Sequence, residues 1–369
     1  MIIKSIELAD YRNYDFLSLQ FDRGTNILYG DNAQGKTNIL EAIYVAATTK
    51  SHRGSKDREI IHFDREEAHI RTYLEKDGIE TKVDMHLRRN KSKGIAIDGQ
   101  KIKKAADLLG LCNVVFFSPE DLGIIKNGPS ERRRFVDMEL CQLDGFYLYN
   151  LNHYNKIVNQ RNKLLKDMFL NPQLKDTLHI WDMQLVSYGS KIIERRRLFA
   201  QQLNDIIYEV HKKLSGGKEE LLIRYEPGTE IEGFENKLHF CQDRDIKAKM
   251  TSAGPHRDDF SFLIGNVDIR KFGSQGQQRT AALSLKLSEI ELVKKLTKDT
   301  PVLLLDDVLS ELDSSRQNYL LNSIGDIQTI ITCTGLEEFV NNRFEINRVF
   351  KVCDRKASCM GNEPQAEQE

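Results

Sequence analysis

Hydrophobic positions in the first third of the chain follow the spacing of β-strands. A short apolar stretch ends at Gly30, and a helix is predicted from about Lys36, with Ile39 and Leu40 on one face. Asp98-Gly99 has the composition of a hairpin turn within the β-rich segment 67–117. Strands are predicted at residues 2–8, 16–21, 26–29 and 114–117. The pattern predicts a β-rich N-terminal lobe that contains one strand–loop–helix unit.

The middle of the chain changes to helical spacing. Apolar residues recur every three to four positions from Ser130 to about Met168, and again over 178–214, with Asn171-Pro172 between the two stretches. This predicts a helical hairpin whose arms are roughly 35–40 residues, or about 50–60 Å, long. Simple packing of these helices against a core is the alternative to a distinct insertion domain.

Strand patterns return after the helical region, and a helix is predicted after Ser274. These later strands are predicted at 221–225, 260–264, 302–305 and 329–333. The combination indicates an α/β fold with a mixed or parallel sheet core. We predict one split domain over 1–125 and 245–352, a helical insertion over 126–244 and a disordered tail over 353–369.

Composition narrows the class of protein. The 369 residues are 30% charged and 40% hydrophobic, with a formal net charge of −1, so nucleic-acid binding would have to come from local basic patches. The six cysteines form no C-x-x-C pair, which argues against thiolate metal sites and a disulfide framework. Neither a signal peptide nor an apolar run of ~18 residues is found. We expect a soluble cytoplasmic protein with no membrane association.

The strongest chemical signal follows the short strand that ends at Gly30. Residues 30–37 read GDNAQGKT and match G-x-x-x-x-G-K-[ST], a pattern that occurs by chance on the order of once per hundred chains of this size. Its glycines allow backbone amides to approach phosphates closely, Lys36 supplies positive charge and the Thr37 hydroxyl suits Mg²⁺. The loop predicts an ATP site formed by Gly30, Asp31, Asn32, Ala33, Gln34, Gly35, Lys36 and Thr37.

An acidic pair lies far along the chain from this loop. The apolar strand at 302–305 is followed by Asp306 and Asp307. Ligands bind at the carboxyl ends of parallel strands, so Asp306 is predicted to hold Mg²⁺ and Asp307 to accept a proton from the attacking water. Many strands end in a carboxylate at a turn, so this pair indicates a nucleotide site only in combination with the phosphate loop.

Three further motifs complete the picture. The stretch FGSQGQQR at 272–279 is similar to an ABC signature, SELD at 310–313 to a D-loop, and YRNY at 11–14 to an N-terminal motif that precedes the phosphate loop. With these motifs, the chain resembles the RecF family in the SMC-like DNA-repair branch of the ABC-type ATPases, over about residues 1–350. The segments at 117–121, 128–133 and 252–258 also resemble segments of this family.

The resemblance implies an SMC-like ATPase head and assigns further roles. Arg12 and Asn13 would contribute to ATP binding. The signature would complete the γ-phosphate pocket of a second subunit, which implies an ATP-dependent homodimer. The residues implied in the signature are Ser274, Gln275, Gly276 and Gln277, and those in the D-loop are Ser310 and Asp313.

The chain also departs from the superfamily pattern. Asp307 replaces the usual glutamate, and a carboxylate one methylene shorter predicts slow hydrolysis. Thr332 or Thr334 occupies the region of the histidine that is common in transporter ATPases. No clear Q-loop glutamine is found, and the segment 117–121 is a candidate to replace it.

DNA binding follows from the resemblance more than from charge. Basic runs are usually solvated faces, and no base-reading motif is visible. The candidate DNA contacts are Arg132, Arg133, Arg134, Arg195, Arg196 and Arg197. The resemblance implies binding to single-stranded, gapped and duplex DNA, cooperation with RecR- and RecO-type mediators, and a role in recombinase loading, replication restart and SOS induction.

Three alternatives remain open from the residues. A transporter-type energising subunit would need a membrane-coupling signal. An SMC-like structural protein would need a longer coiled coil than the predicted insertion. A pure ATP switch would bind nucleotide with negligible turnover, in contrast to a weak DNA-stimulated ATPase.

Overall fold

A computed structural model describes residues 1–168, 170–336 and 345–360 of the chain. The strands are β1 (Ile2–Tyr11), β2 (Tyr14–Gln20), β3 (Thr25–Tyr29), β4 (Glu67–Lys76), β5 (Ile79–Arg88), β6 (Gly94–Ile97), β7 (Gln100–Lys101), β8 (Val114–Phe117), β9 (Leu221–Glu226), β10 (Asp259–Ile264), β11 (Val267–Asp268), β12 (Val302–Asp306), β13 (Thr329–Cys333), β14 (Arg348–Cys353) and β15 (Lys356–Cys359). The helices are α1 (Lys36–Thr48), α2 (Asp57–Ile60), α3 (Leu122–Lys126), α4 (Pro129–Leu143), α5 (Gly145–Asp167), α6 (Leu178–Leu214), α7 (Phe234–Ala248), α8 (Ile269–Phe272), α9 (Gln275–Thr297) and α10 (Ser314–Ser323). Short 3₁₀ turns occur at Ala105–Leu108, Pro119–Asp121, Pro172–Thr177, Pro255–Arg257 and Leu309–Glu311.

The chain forms two compact units. The first unit combines Met1–Pro119 with Val293–Glu369, and the second is Glu120–Leu292. The sequence instead predicted a split domain with boundaries after 125 and after 244. The segment 245–292 belongs to the second compact unit instead. It contains β10, which pairs with β9, and the start of α9.

Two six-stranded sheets build the first unit. One is antiparallel, in the order β2-β1-β4-β5-β6-β7, and the other has the order β15-β14-β3-β13-β12-β8. In the second sheet, β14, β3, β13, β12 and β8 run parallel, and only the edge strand β15 is antiparallel. Every residue of β8, β12 and β13 is buried, which explains why these strands read as continuous apolar runs. The α/β fold class with a mixed sheet and a β-rich lobe is confirmed.

Helix α1 is buried on almost all sides. It contacts β4 of the antiparallel sheet and β8, β12 and β13 of the parallel one. A helix packed on both sides needs apolar residues around its whole circumference, and Ile39, Leu40, Ile43 and Val45 are all fully buried. The helix that follows the phosphate loop is thereby fixed in the core.

The second unit contains the helical region and a small sheet in the order β11-β10-β9. The predicted first arm is not one helix, because α4 ends at Leu143 and α5 begins at Gly145. Asp144 separates them and caps α5, accepting hydrogen bonds from the backbone amides of Phe146 and Tyr147. The predicted second arm is confirmed as α6, over Leu178–Leu214.

The C-terminal prediction is partly wrong. Residues 353–369 were expected to be disordered, yet Lys356–Cys359 forms β15, paired with β14. Residues 361–369 lie outside the described residues. No disulfide joins the six cysteines, all of which lie in described segments. Within these segments, no helix has both the length and the apolar character that crossing a membrane requires.

Candidate nucleotide site

The phosphate loop (residues 30–37) connects the end of β3 to the start of α1. Gly35 has φ 102°, and a Cβ there would lie 2.5 Å from Asn13 Nδ2 and 2.8 Å from Tyr14 Oη. The loop therefore needs glycine for both conformation and space. No side chain among the described residues caps the N-terminus of α1, and the Asn38 amide donates to the Gly35 carbonyl oxygen, so the amides of Lys36 and Thr37 are the ones open to an anion.

Lys36 and Thr37 occupy the first turn of α1. The Lys36 side chain is buried, and its Nζ donates to the carbonyl oxygens of Gly30 (2.6 Å) and Asp31 (3.0 Å). Thr37 Oγ1 donates to Asp306 Oδ1 at 2.8 Å. Two residues separated by 269 positions in the sequence thus share one hydrogen bond, and the phosphate loop and the acidic pair form a single site.

The strand order explains this meeting. β13 lies between β3 and β12, and Thr332 near its carboxyl end is directly opposite Asp306. Thr332 Oγ1 donates to Asp306 Oδ1 at 2.8 Å and accepts from the Asp307 amide at 2.9 Å. Burial raises the pKa of Asp306, with a further rise from the Asp307 carboxylate, while the hydrogen bonds from Thr332 and Thr37 oppose it. The threonine holds both members of the acidic pair.

The donor set fits magnesium. A hydroxyl from Thr37 and a carboxylate from Asp306 are hard oxygen ligands, and they lie within hydrogen-bond distance of each other. Mg²⁺ is usually held by one or two such protein groups together with waters and phosphate oxygens. The site therefore suits a Mg²⁺–nucleotide complex rather than a metal held by protein ligands alone.

Asp307 lies at the point where the chain leaves β12. Its φ of 51° is in the left-handed region, which is uncommon for a residue with a side chain. Ser310 Oγ donates to its carbonyl oxygen at 2.8 Å. Asp313 caps α10 by accepting from the Arg316 amide at 3.0 Å. Ser310 thus stabilises the turn after the acidic pair, Asp313 stabilises the start of α10, and both predicted D-loop residues are exposed.

Arg12 pairs with a carboxylate on α1, the helix that follows the phosphate loop. Its Nε and Nη2 donate to the two carboxylate oxygens of Glu41, each at 2.7 Å, and Nη1 donates to the Glu59 carbonyl oxygen. Glu41 is fully buried on α1, and although burial opposes its ionisation, hydrogen bonds from Arg12 and Ser51 lower its pKa. The bidentate pair fixes the N-terminal motif to α1, and sequence reasoning missed Glu41 because no motif includes it.

Asn13 contacts the loop itself. Its Oδ1 accepts from Asn38 Nδ2 at 2.7 Å, and its Nδ2 donates to the Gln34 carbonyl oxygen at 3.4 Å. Gln34 Oε1 in turn accepts from the amide of Asp354, in the turn after β14. Asn32 and Ala33 are exposed at the tip of the loop, and Ala33 has φ 64°.

Arg53 is a second residue that sequence reasoning missed. It is exposed in the loop after α1, and its Nη1 donates to Asn38 Oδ1 at 3.4 Å. Its positive charge favours the ionised form of Asp306 and so opposes the rise in the pKa of that carboxyl. An exposed guanidinium beside a predicted phosphate site is available to an anion.

The signature (residues 274–277) begins α9 in the second unit. The Ser274 amide donates to Gln277 Oε1 (2.9 Å), and the Gln277 amide donates to Ser274 Oγ (3.2 Å), which forms a capping box. Gln277 Nε2 also donates to Glu219 Oε1 at 2.8 Å. Ser274, Gln275 and Gly276 are exposed, as is Phe272 just before them, at 76%.

Two of the candidate DNA contacts form buried ion pairs within the protein instead. Arg132 is buried and forms a bidentate pair with Asp259. Arg196 is buried against Asp137 and Asp258, at 2.6 and 2.7 Å. Neither guanidinium can reach DNA without breaking a buried ion pair, so these two predictions are corrected.

The other four arginines are more accessible. Arg133 donates to the Asp258 carbonyl oxygen, Arg195 pairs with Asp144, and Arg197 pairs with Glu230. Arg134 is exposed.

A parallel sheet with a phosphate loop after β3, an acidic pair after β12 and a capped signature helix defines an ABC-type ATPase with an SMC-like head. The family model described as the RecF/RecN/SMC N-terminal domain matches residues 2–358. The chain therefore belongs to the RecF family within this group of ATPases.

Relatives are similar in sequence along nearly the whole chain. "DNA replication and repair protein RecF" of Lachnospira eligens is 63% identical over 96% of this chain and 98% of its own length. The protein of the same name from Clostridium botulinum is 45% identical over 96% of this chain and 99% of its own.

Solved structures extend the comparison. The "recombination mediator protein RecF-ATP in RecFOR pathway" superposes with a TM-score of 0.91 at 37% identity, covering 97% of both chains. An SMC head bound to a winged-helix domain of ScpA has a TM-score of 0.57 at 16% identity, over 98% of both chains, and shows the shared fold alone.

Proposed function

We propose that this ATPase binds DNA as an ATP-dependent homodimer and acts in recombinational repair. The observation that carries the proposal is the contact between Thr37 and Asp306, because it joins both halves of one Mg²⁺–ATP site. The relatives that are named for DNA replication and repair, and for the RecFOR pathway, supply the biological setting. RecO- and RecR-type proteins are the partners we propose on the same basis.

The roles of the site residues follow from their positions. The open amides at the start of α1 and the buried ammonium of Lys36 bind and orient the phosphates. Thr37 and Asp306 would hold Mg²⁺, which supplies charge neutralisation on the phosphate oxygens when bound. Asp307 would accept the proton of the attacking water, with reach limited by its short side chain. We therefore expect slow turnover.

The exposed signature supports dimerisation. The N-terminus of α9 is in solvent, and the amides of Gln275 and Gly276, which lie outside the capping box, would be offered to an anion on a second subunit. The exposed Phe272, just before the signature, suits a surface that a partner covers only in one state. The D-loop residues Ser310 and Asp313, in the first unit, are exposed as well.

DNA contacts would come from accessible basic residues. After the correction of Arg132 and Arg196, the proposed set is Arg133, Arg134, Arg195 and Arg197. Since these residues read no base pattern, binding would be largely independent of sequence and strongly weakened by salt. Single-stranded, gapped and duplex DNA remain the proposed ligands, with replication restart, recombinase loading and SOS induction as the proposed outcome.

Light scattering with size-exclusion chromatography tests the dimer. We expect the molar mass to double from 42.6 kDa with ATP and Mg²⁺, and the dimer to be retained on gapped DNA. Ser274→Arg should bind ATP with unchanged affinity yet stay monomeric. A wild type that remains monomeric with saturating ATP, or a Ser274→Arg variant that dimerises, would contradict the shared site.

Phosphate release separates an enzyme from a pure switch. We expect slow release by the wild type, stimulation by DNA, and loss of release in Asp307→Asn with ATP binding retained. Equal release by the wild type and the variant would show that Asp307 is not the base.

A further inference from the structure

A cluster of two histidines and one glutamate lies on the antiparallel sheet of the first unit, in a part of the chain that contributes no residue to the nucleotide site. Glu67 and His69 belong to β4, and His86 belongs to β5. One ligand atom from each of the three lies within 4.8 Å of the other two. We infer that Glu67, His69 and His86 bind a divalent transition metal ion such as Zn²⁺.

The strand register builds this cluster. His69 is directly opposite His86 in the antiparallel pairing, and side chains two residues apart on β4 share a face. The imidazole rings are stacked, with centroids 4.1 Å apart and an angle of 20° between their planes. His86 Nε2 lies 2.6 Å from Glu67 Oε2. Three metal-ligating groups are therefore adjacent on one rigid face.

Closing the cluster on a metal requires only small movements. Ligand atoms around a tetrahedral Zn²⁺ at about 2.0–2.1 Å are about 3.3 Å apart, against 4.8 Å at most here. Glu67 and His69 are exposed and His86 is half-buried, so side-chain rotation can supply the difference. The backbone stays fixed because Ala68 and Leu87, on the opposite face, are fully buried.

The surroundings tolerate a cation. Arg71, two residues along the same face, is neutralised by Asp84 at 2.6 Å and Glu7 at 3.3 Å. Arg88, opposite Glu67, donates its Nη2 to the Ser92 carbonyl oxygen. The charge of a bound metal ion would therefore be opposed by the guanidinium of Arg88 but not by that of Arg71, which is already neutralised.

The ligand chemistry selects the metal. Two imidazoles and one carboxylate suit Zn²⁺ and its transition-metal neighbours, whereas Mg²⁺ prefers an all-oxygen shell. The histidines line a cavity of about 540 Å³ that also includes Phe16 and Lys101. Three protein ligands beside an open cavity leave the fourth position to water or an anion. The site would thus be chemically distinct from the Mg²⁺ site at Thr37 and Asp306.

Calorimetric titration of the full chain with Zn²⁺, in excess Mg²⁺, tests the site. We expect one Zn²⁺ bound, with affinity reduced at least tenfold in His69→Ala and in His86→Ala. His239→Ala, which removes an exposed histidine on α7, is the matched control and should bind as the wild type does. Absence of binding by the wild type, or binding with wild-type affinity by the His69→Ala and His86→Ala variants, would overturn the proposal.

Cobalt distinguishes this site from the exposed cysteines Cys353 and Cys359. Co²⁺ at Glu67, His69 and His86 should give weak visible bands without an intense thiolate charge-transfer band. An intense charge-transfer band that persists in the His69→Ala/His86→Ala double variant would assign the metal to cysteine instead. Circular dichroism on each variant checks that the exposed substitutions leave the fold intact.

Discussion

The N-termini of α1 and α9 both follow glycine-containing turns, yet they are built differently. At α1, Gly35 has a left-handed conformation, no described side chain caps the helix, and Lys36 is buried behind the loop. At α9, Ser274 and Gln277 cap the helix reciprocally, and the turn is exposed. The first end is prepared to surround an anion, whereas the second is stable by itself and presents its surface. This difference is what we expect of the proposed dimer, in which the loop binds the nucleotide in one subunit and the signature is a surface offered to the other.

The N-termini of α1 and α9 should differ most in how the loss of a nearby lysine changes ATP affinity. Lys36→Ala should weaken ATP binding by about 100-fold, or about 2.7 kcal/mol, because a buried charge beside the phosphates is lost. Lys271→Ala, at an exposed position of α8 just before the signature, should leave the ATP affinity of the monomer unchanged. Calorimetry with ATP and Mg²⁺ measures both, and similar losses in the two variants would remove the proposed distinction.

Adding a methyl group to the phosphate loop should be the next largest effect. Gly35→Ala places a Cβ at φ 102° and 2.5 Å from Asn13 Nδ2, so we expect the variant to lose about 2 kcal/mol of stability as well as ATP affinity. Thermal unfolding of the full chain provides the measurement. A melting temperature equal to that of the wild type would show that the loop adapts more easily than its geometry indicates.

Loss of the signature cap should have a smaller effect. Ser274→Ala removes the hydroxyl that accepts from the Gln277 amide, which should cost about 1 kcal/mol in the free energy of unfolding. Ser274→Thr keeps the hydroxyl and serves as the control, with a loss below that of the alanine variant. Equal losses for alanine and threonine would mean that the cap does not stabilise α9.

The smallest expected change in stability has the opposite sign. Gly276 lies within the first turn of α9, and a Cβ there would meet nothing closer than Ser274 Oγ at 3.8 Å. Gly276→Ala should therefore stabilise the chain by about 0.5–1 kcal/mol. If the signature contacts a phosphate closely, the same variant should lose its ATP-dependent dimer. A stabilised variant that still dimerises by light scattering would show that the second subunit does not approach this glycine.

Local patterns carried most of what the sequence could predict. The apolar strands β12 and β13, the phosphate loop and the acidic pair are each encoded in a few consecutive residues, and strand order then brings the loop to Asp306. The break at Asp144 also had a local signal, an aspartate followed by glycine. It was missed because the apolar spacing continues across it.

Long-range pairs could not be predicted in this way. Arg132 reads as part of a basic run, yet its partner Asp259 lies 127 residues away. Arg196 pairs with Asp258 across 62 residues, and Glu41 with Arg12 across 29. A charge run and a buried ion-pair network have the same sequence until the fold supplies the partner.

Thr332 gives the acidic pair a neighbour that does not change its charge. Its hydroxyl binds both Asp306 and the Asp307 amide, and an aliphatic alcohol neither gains nor loses a proton in the range where an imidazole titrates. Thr332 therefore adds no titrating group of its own to the site between mildly acidic and mildly alkaline conditions. An imidazole at this position would gain a positive charge as the pH falls through its titration range, so the alcohol removes one source of pH dependence from the neighbourhood of Asp306.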